Sequence, residues 1–142
     1  MSPEDNKKLV TGFVEPINRK DRQPLEEFVA PDFTRHSNTS GQPQIRSLAE
    51  LRSFLIGQGS TFPDAQETIH FLLAEGDKVA LHSEFRGTQE GLMGPFPASG
   101  RRLSADFIRI YQLAIGRVVG AWVEWDNLSG LIQLGHFGPY PP

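Results

Sequence analysis

Two long segments near the end of the chain constrain the fold more than any other part of the sequence. Residues 102–125 read RLSADFIRIYQL, then AIG, then RVVGAWVEW, with apolar side chains at alternate positions. This alternation predicts two strands, and the short connection containing glycine predicts a β-hairpin between them. Carboxylates interrupt the apolar pattern, and a buried carboxylate is unfavourable unless it is paired or takes part in chemistry. The hairpin is therefore the first place to look for a functional site.

The connection AIG predicts a three-residue turn with Gly116 at the left-handed position. Counting back from that turn places Asp106 opposite Glu124 and Ile108 opposite Trp122, all on one face of the hairpin. The opposite face is then almost wholly apolar. We call the face with Asp106 and Glu124 the polar-punctuated face, because carboxylates interrupt its apolar residues. We expect this face to line a pocket beneath the helices and the apolar face to be a subunit interface. The alternative is that the apolar face is the core that the helices cover.

The first half of the chain carries helix signals, and the second half carries strand signals. Ser2 followed by a proline and two acids predicts one helix start, and Ser47 with Glu50 forms a capping box for another. A short helix over residues 25–30 lies between them, and Gly57 and Gly59 are expected to end the last helix. Strands are predicted over residues 66–74 and 78–86, before a long loop over residues 87–100. Three helices followed by an antiparallel sheet predict an α+β fold.

Composition excludes several classes of protein. The chain has 142 residues, which predicts one domain over residues 1–142, and its net charge of −3 gives no basic face for nucleic acid. It has no cysteine, and its four histidines show no HxH or HExxH spacing, so we expect no metal site. The first residues lack the apolar segment of a signal peptide, and no apolar run reaches the roughly 18 residues of a membrane span. We therefore expect a cytoplasmic protein that binds no membrane.

Five segments together, in this order and spacing, resemble the SnoaL-like polyketide cyclases. This family, also called ester cyclases, belongs to the nuclear-transport-factor-2-like superfamily. The segments are APDFTRH at 30–36, FPD at 62–64, LLAEGDKVALHSEFRGTQEG at 72–91, PFPASGRRL at 95–103 and GRVVGAWVEWDNLSGLIQLG at 116–135. The resemblance runs nearly end to end and is specific for the family, but not for a substrate.

The resemblance implies a cone-shaped α+β fold, in which a curved antiparallel sheet and three N-terminal helices enclose a deep pocket. It also implies a homodimer through the outer face of the sheet. Family members close a polyketide ring by intramolecular aldol condensation with no metal or organic cofactor, so we expect no cofactor here. Relatives with the same pattern include hydroxylase-like enzymes.

This chain departs from the family pattern around the tryptophan of the last strand. Many members read Glu-His-Trp-Asp where this sequence reads Gly-Ala-Trp-Val, so Trp122 is kept while the histidine and one aspartate are absent. Asp126 is retained, and His82 stands where relatives often carry arginine. These departures favour a changed substrate or reaction, and they keep a non-catalytic binding module of the same fold as an alternative.

Three residues are the candidates for catalysis. Burial can raise the pKa of a carboxylate enough for it to take a proton from a carbon between two carbonyls. Asp126 is the first candidate for this role, and the alternative is that it caps the helical tail that follows it. If Asp106 and Glu124 face each other, their two carboxyl groups could share one proton. The alternative is that these acids are solvated or paired with arginines. His82 could donate to a substrate carbonyl, or it could be a structural histidine.

A further set of residues is expected to bind the substrate. Trp122 and Glu124 lie on the polar-punctuated face, and His36 lies at the start of a loop, where it could also be a simple loop histidine. Four phenylalanines could form an apolar pocket or part of the core: Phe13, Phe33, Phe54 and Phe62. The sequence thus predicts a cofactor-independent cyclase or isomerase that acts on a hydrophobic polycarbonyl small molecule. A binding or dimerisation module and a cofactor-free hydroxylase are the alternatives.

Overall fold

The computed structural model describes residues 1–18, 25–39, 41 and 43–138, with only the backbone of residues 16 and 17. Four helices and five strands follow one another along the chain: α1 (Pro3–Asn18), α2 (Leu25–Phe28), β1 (Val29–His36), α3 (Leu48–Thr61), β2 (Gln66–Glu75), β3 (Lys78–Thr88), β4 (Arg102–Ala114), β5 (Arg117–Trp125) and α4 (Asn127–Gln133). Among these elements, no helix is both long enough and apolar enough to cross a membrane.

The strands form one curved sheet in the order β1-β5-β4-β3-β2. Neighbouring strands are antiparallel except β1 and β5, which are parallel. Buried side chains of α1 and α3 pack with side chains from one face of the sheet and form the core; they include Val10, Phe13, Leu51, Leu55, Phe85, Phe107 and Val123. The predicted α+β class is confirmed, with a fourth helix, α4, that follows the last strand.

The helix starts follow the predicted caps, but α3 does not end where its glycines suggested. The Ser47 hydroxyl accepts a hydrogen bond from the backbone N–H of Glu50 at 3.0 Å. The helix then continues through Gly57 and ends at Thr61, which is buried. A glycine inside a helix costs only about 1 kcal/mol. The Thr61 hydroxyl donates to the carbonyl oxygen of Leu92 at 2.6 Å, which ties the end of this helix to the long loop.

Strand β1 was not predicted from the sequence. Residues 25–30 carry a helix pattern and Pro31 follows them, so this region was expected to be a helix that gives way to a loop. Only Leu25–Phe28 is helical, and the chain then pairs with β5 as an edge strand. The pairing is irregular between Val29 and Thr34. Proline has no N–H group to donate to a neighbouring strand. An irregular edge strand does not need that hydrogen bond at every residue, so it tolerates Pro31.

The predicted register of the hairpin is wrong by two residues. The turn contains two residues, Ile115 and Gly116, both with positive φ (51° and 71°), as a type I′ turn requires. An irregularity near the turn adds one residue to β5, so Ile108 lies opposite Glu124 rather than Trp122. Because a shorter turn and one extra residue together shift the register by two, residues 103–111 and 121–125 keep their predicted faces. Next to the irregularity the prediction is wrong, because Val118 and not Val119 lies in the core.

The roles of the two sheet faces are the reverse of our expectation. The apolar face, with Leu103, Phe107 and Val123, packs against the helices and forms the core. The polar-punctuated face, with Asp106 and Glu124, is the outer face and is exposed. An apolar face that carries several aromatic rings gains more free energy by burial under helices than a face interrupted by carboxylates.

Candidate active site

A cavity of about 530 Å³ lies between the core face of the sheet and helices α1 and α3. This volume falls in the range of sites that hold a small organic molecule. Most of the wall is apolar, and aromatic rings dominate it: Phe13, Phe33, Phe54, Phe62, Phe85, Phe107, Tyr111 and Trp125. The cavity is therefore suited to a flat, hydrophobic ligand.

The aromatic wall is built by contacts between rings on different elements. Phe107 of β4 stacks on Trp125 of β5 with ring centroids 4.8 Å apart. Phe62, after α3, meets Phe85 of β3 edge-on at 5.3 Å. The four phenylalanines expected in the pocket, Phe13, Phe33, Phe54 and Phe62, all lie in this wall. Offset and edge-on ring pairs hold their geometry well, so the cavity has a preformed shape.

A charged group interrupts the apolar wall. Arg109 of β4 forms an ion pair with the carboxylate of Glu67 of β2, and the hydroxyl of Ser83 on β3 lies between them. The Ser83 hydroxyl donates to Glu67 Oε1 at 2.7 Å, and the Arg109 guanidinium donates to Ser83 Oγ at 3.2 Å. Glu67 is the only carboxylate among the described residues of the cavity wall. We call these three residues the polar triplet.

Helix α1 fixes the position of Glu67. The side-chain amide of Asn18 donates to the backbone oxygen of Glu67 at 2.8 Å, and the Glu67 backbone N–H donates to Asn18 Oδ1 at 2.9 Å. These two bonds satisfy backbone groups of an edge strand that have no further strand beside them. The end of α1 and strand β2 therefore hold Glu67 in one place.

Two further polar side chains of the wall lie near the polar triplet. Burial raises the pKa of Tyr111 to about 12, so its hydroxyl remains a hydrogen-bond donor. Burial, with a smaller effect of Arg109, lowers the pKa of Arg35 to about 10, and its guanidinium lies 4.7 Å from the centre of the Phe54 ring. Burial by itself would lower the pKa of Arg109, but the Glu67 carboxylate raises it above its usual range. Both arginines therefore remain cationic at neutral pH.

Trp125 brings a buried donor to the cavity wall. Its indole Nε1 is buried and has no hydrogen-bond partner among the residues that the structure describes. Helix α4 packs closely on this ring, because a Cβ built on Gly130 would lie 2.8 Å from it. Because a buried N–H group without a partner is unfavourable, the packing of this ring against Phe107 and helix α4 offsets that penalty.

Asp126 lies outside the cavity and caps helix α4. Its Oδ1 accepts from the backbone N–H of Ser129 at 3.0 Å, and its Oδ2 accepts from the Ser129 hydroxyl at 2.7 Å. These bonds, the backbone one first, lower the pKa of Asp126, which is exposed. A lowered pKa weakens a general base. The structure thus shows the capping alternative and corrects the expectation that Asp126 faces a pocket.

His82 and Asp106 lie together on the outer face, away from the cavity. His82 Nε2 is 3.5 Å from Asp106 Oδ2. The predicted pair of Asp106 with Glu124 does not form, because Glu124 lies opposite Ile108; on its other side Asp106 lies opposite Glu84 of β3. Because side chains alternate along a strand, the neighbours Ser83 and Phe107 face the core instead. The expectation that His82, Asp106 and Asp126 converge in an enclosed cavity is therefore wrong.

The remaining predicted ligand contacts also lie on the outer face. Trp122 stacks on His36 of the neighbouring strand, with ring centroids 5.3 Å apart. Glu124 accepts from the backbone N–H of Asn38 at 2.7 Å and from the Thr39 hydroxyl at 3.0 Å, which holds the loop after β1. None of Trp122, His36 and Glu124 lines the cavity.

Sequence reasoning missed the polar side chains of the cavity, although the sequence carried a signal for them. Arg109 and Tyr111 fall in the apolar series of β4, where a charged residue needs a partner. Ser83 similarly falls among the buried residues of β3. Glu67 had no such signal, because β2 lies at the edge of the sheet and both of its faces carry polar residues.

The fold is shared with known proteins from three Streptomyces species. AclR, a candidate hydroxylase from Streptomyces galilaeus, is 26% identical over 99% of this chain and 87% of its own, with a TM-score of 0.84. IdmH, a candidate polyketide cyclase from Streptomyces antibioticus, is 26% identical over 92% of this chain and 98% of its own, with a TM-score of 0.78. TsrD from Streptomyces laurentii is 29% identical over 96% of this chain and 99% of its own, with a TM-score of 0.82.

A search of curated protein sequences found no match. The family profile of the SnoaL-like polyketide cyclases matches residues 7–134, which include every described strand and every described residue of the cavity wall. The chain therefore belongs to the SnoaL-like polyketide cyclase family.

Proposed function

We propose that the protein is a cofactor-independent enzyme that binds a hydrophobic polycarbonyl molecule and moves a proton in order to cyclise or isomerise it. The observation that carries this proposal is the polar triplet, of which Glu67 and Arg109 line the aromatic wall of a 530 Å³ cavity and Ser83 hydrogen-bonds to both. Membership of the polyketide cyclase family supports the class of reaction. Asp126, His82 and Asp106 have no part in the proposal because they lie outside the cavity.

Glu67 is the proposed general base. It is the carboxylate that a ligand in the cavity can reach, and a carbon between two carbonyls is acidic enough for a carboxylate to deprotonate. Arg109 would neutralise the enolate that forms, and the Tyr111 hydroxyl would donate to a substrate oxygen. The enolate carbon then attacks a second carbonyl of the same molecule, and the proton held by Glu67 passes to the new alkoxide.

A deuterium-exchange assay tests the proton-transfer step without knowledge of the natural substrate. A hydrophobic β-keto ester with slow uncatalysed exchange is incubated with the protein in D₂O, and NMR follows the loss of its α-proton. We expect Glu67→Gln to slow exchange on the order of 100-fold. The matched control is Glu75→Gln, which changes an exposed glutamate on the same strand. This variant should catalyse exchange of the substrate proton as fast as the natural protein does. Exchange that is unaffected by Glu67→Gln would remove this residue from the mechanism.

A non-catalytic binding module is the second candidate function. The observation in its favour is that Arg109 and Ser83 already engage the Glu67 carboxylate, as they would in a purely structural ion pair. A binding module would take up flat hydrophobic ligands tightly and exchange no proton. This chain is also similar to AclR, a candidate hydroxylase. Oxygen consumption with an electron-rich quinol as substrate should therefore be measured as well, to test for hydroxylase activity.

A homodimer through the outer face is part of the proposal. Five large apolar side chains are exposed on that face, and we call them the outer apolar patch: Phe71, Leu73, Ile108, Ile110 and Trp122. A monomer seldom leaves a patch of this kind in water, and a second copy would cover it. Light scattering should give twice the mass of the chain, and Ile110→Lys should give a monomer.

A further inference from the structure

Two histidines and two carboxylates gather on the outer face, on three adjacent strands. We call them the outer His-carboxylate cluster: His70 of β2, His82 and Glu84 of β3, and Asp106 of β4. The proposed cavity chemistry uses none of them. They lie beside the outer apolar patch, since the ring of His82 is 5.1 Å from that of Phe71.

The ligand atoms of three of the four residues are close to one another, and His82 lies beside them. One oxygen or nitrogen from each of His70, Glu84 and Asp106 lies within 4.8 Å of the other two. His82 Nε2 is 3.5 Å from Asp106 Oδ2, and the two imidazole centroids are 5.0 Å apart. Glu84 and Asp106 are direct partners in the register, so the sheet itself fixes the separation of their backbones.

An irregularity in β2 brings His70 to this position. Ile69 pairs with Ser83 and Phe71 pairs with His82, so His70 is an extra residue without a partner of its own. A bulge of this kind redirects a side chain relative to the regular alternation, and bulges are frequent beside functional sites. His70 and Phe71 consequently both face outwards, and the imidazole of His70 lies beside His82.

The donor set is suited to a divalent transition metal. Two imidazole nitrogens and two carboxylate oxygens form a set that zinc accepts in tetrahedral geometry, and nickel, cobalt and copper also bind such ligands. Ligand atoms around zinc lie roughly 3.3 Å apart, so side-chain rotations must bring the ligand atoms of His70, Glu84 and Asp106 closer by up to about 1.5 Å. The ion would also relieve the repulsion between the adjacent carboxylates of Glu84 and Asp106.

Arg86 is the one described cation that a metal ion must displace. Its Nε donates to Glu84 Oε1, and the Arg86 side chain is 58% exposed. An exposed arginine loses little when it returns to water, because a surface ion pair contributes at most about 1 kcal/mol. The site can therefore exchange Arg86 for an ion of higher charge.

We propose that the outer His-carboxylate cluster binds one zinc ion, or a similar divalent transition-metal ion, per chain. His70 and His82 are its nitrogen ligands, and Glu84 and Asp106 are its oxygen ligands. The sequence spacing did not predict this site, since the ligands come from three strands and one of them depends on a bulge. The proposal is independent of the cavity chemistry.

Calorimetric titration of the full chain, free of any purification tag, with Zn²⁺ tests the proposal. We expect one ion per chain, and we expect His70→Ala, His82→Ala and Asp106→Asn each to weaken binding at least about tenfold. Zn²⁺ should also raise the Tm of the natural protein and leave the Tm of His70→Ala unchanged, because a ligand that binds only the folded state stabilises it.

The matched control is His36→Ala, which removes an outer-face histidine that lies outside the cluster. This variant should bind Zn²⁺ as the natural protein does. The proposal is overturned if Zn²⁺, Co²⁺ and Ni²⁺ show no saturable binding, or if binding survives in both His70→Ala and His82→Ala. Circular dichroism establishes that each variant is folded before its affinity is compared, and Asp106→Asn remains as a test if a histidine variant fails to fold.

Discussion

Arg109 reaches from β4 across the neighbouring strand to the carboxylate of Glu67 on β2, and the buried hydroxyl of Ser83 bonds to both. The side chains of both charged residues are mostly buried, at 14% and 10% exposed. A buried ion pair contributes little net stability, because desolvation of both charges offsets their attraction. The pair is therefore better explained by a role in the cavity than by a need for stability.

Stability and activity should separate in variants of this pair. Glu67→Gln leaves the Arg109 charge without compensation, so we expect a loss of about 3 kcal/mol in the free energy of unfolding. The double variant Glu67→Gln with Arg109→Met removes both charges and should regain most of that stability. Urea denaturation measures the first effect, and the deuterium-exchange assay should show no recovery of activity in the double variant. Recovery of both properties together would mean that the pair is only structural.

The Tyr111 hydroxyl is expected to act as a neutral donor. Tyr111→Phe keeps the ring and its edge-on contact with Phe13 but removes the donor, so exchange should fall on the order of 100-fold while ligand binding changes little. An equal loss of ligand binding and of rate would instead assign Tyr111 to binding alone.

Tyr111 should also make the protein sensitive to alkali. Its folded pKa of about 12 exceeds its usual value of 10.0, so its stabilising effect is complete below pH 10 and disappears as the pH rises to 12. The loss over this interval is about 2 to 3 kcal/mol. The chain has two tyrosines, so the difference in tyrosinate absorbance between the natural protein and Tyr111→Phe reports on this residue. Ionisation near pH 10 would contradict the assigned burial.

Asp126 should act through helix α4 and not through the reaction. Asp126→Asn keeps a good capping residue and should retain both Tm and activity, whereas Asp126→Ala should lower the Tm by a few degrees. Because the folded pKa of Asp126 is lowered, its stabilising effect is present above its usual pKa and disappears as the pH falls through the lowered value. The difference in Tm between the natural protein and Asp126→Ala should therefore shrink in acid.

Gly130 is expected to be required for the wall around Trp125. In Gly130→Ala the new methyl group would meet the indole ring at 2.8 Å, which forces either the ring or helix α4 to move. Overpacking of this kind costs about 1 to 3 kcal/mol. A lower Tm together with altered tryptophan fluorescence would show that the ring has moved. Gly57→Ala is the control, because a Cβ there meets nothing within 4 Å.

Most of the fold followed from the sequence because its signals are local, although strand β1 did not. Ser47 with Glu50 marks a helix start, and the alternation on either side of Gly116 marks the two long strands. The site did not follow, because which face of the hairpin is buried depends on packing against distant helices. A turn one residue shorter and one extra residue in β5 moved the partner of Ile108 from Trp122 to Glu124. Glu67 and Arg109 meet across three strands, which sequence spacing does not encode.

The measurement that tests the account most directly compares Glu67→Gln with Asp126→Asn in the deuterium-exchange assay. One carboxylate lies in the cavity wall and the other caps a helix outside it. If the chemistry takes place in the cavity, exchange falls on the order of 100-fold in Glu67→Gln and is unchanged in Asp126→Asn. Loss of exchange in Asp126→Asn, with full activity in Glu67→Gln, would contradict the account.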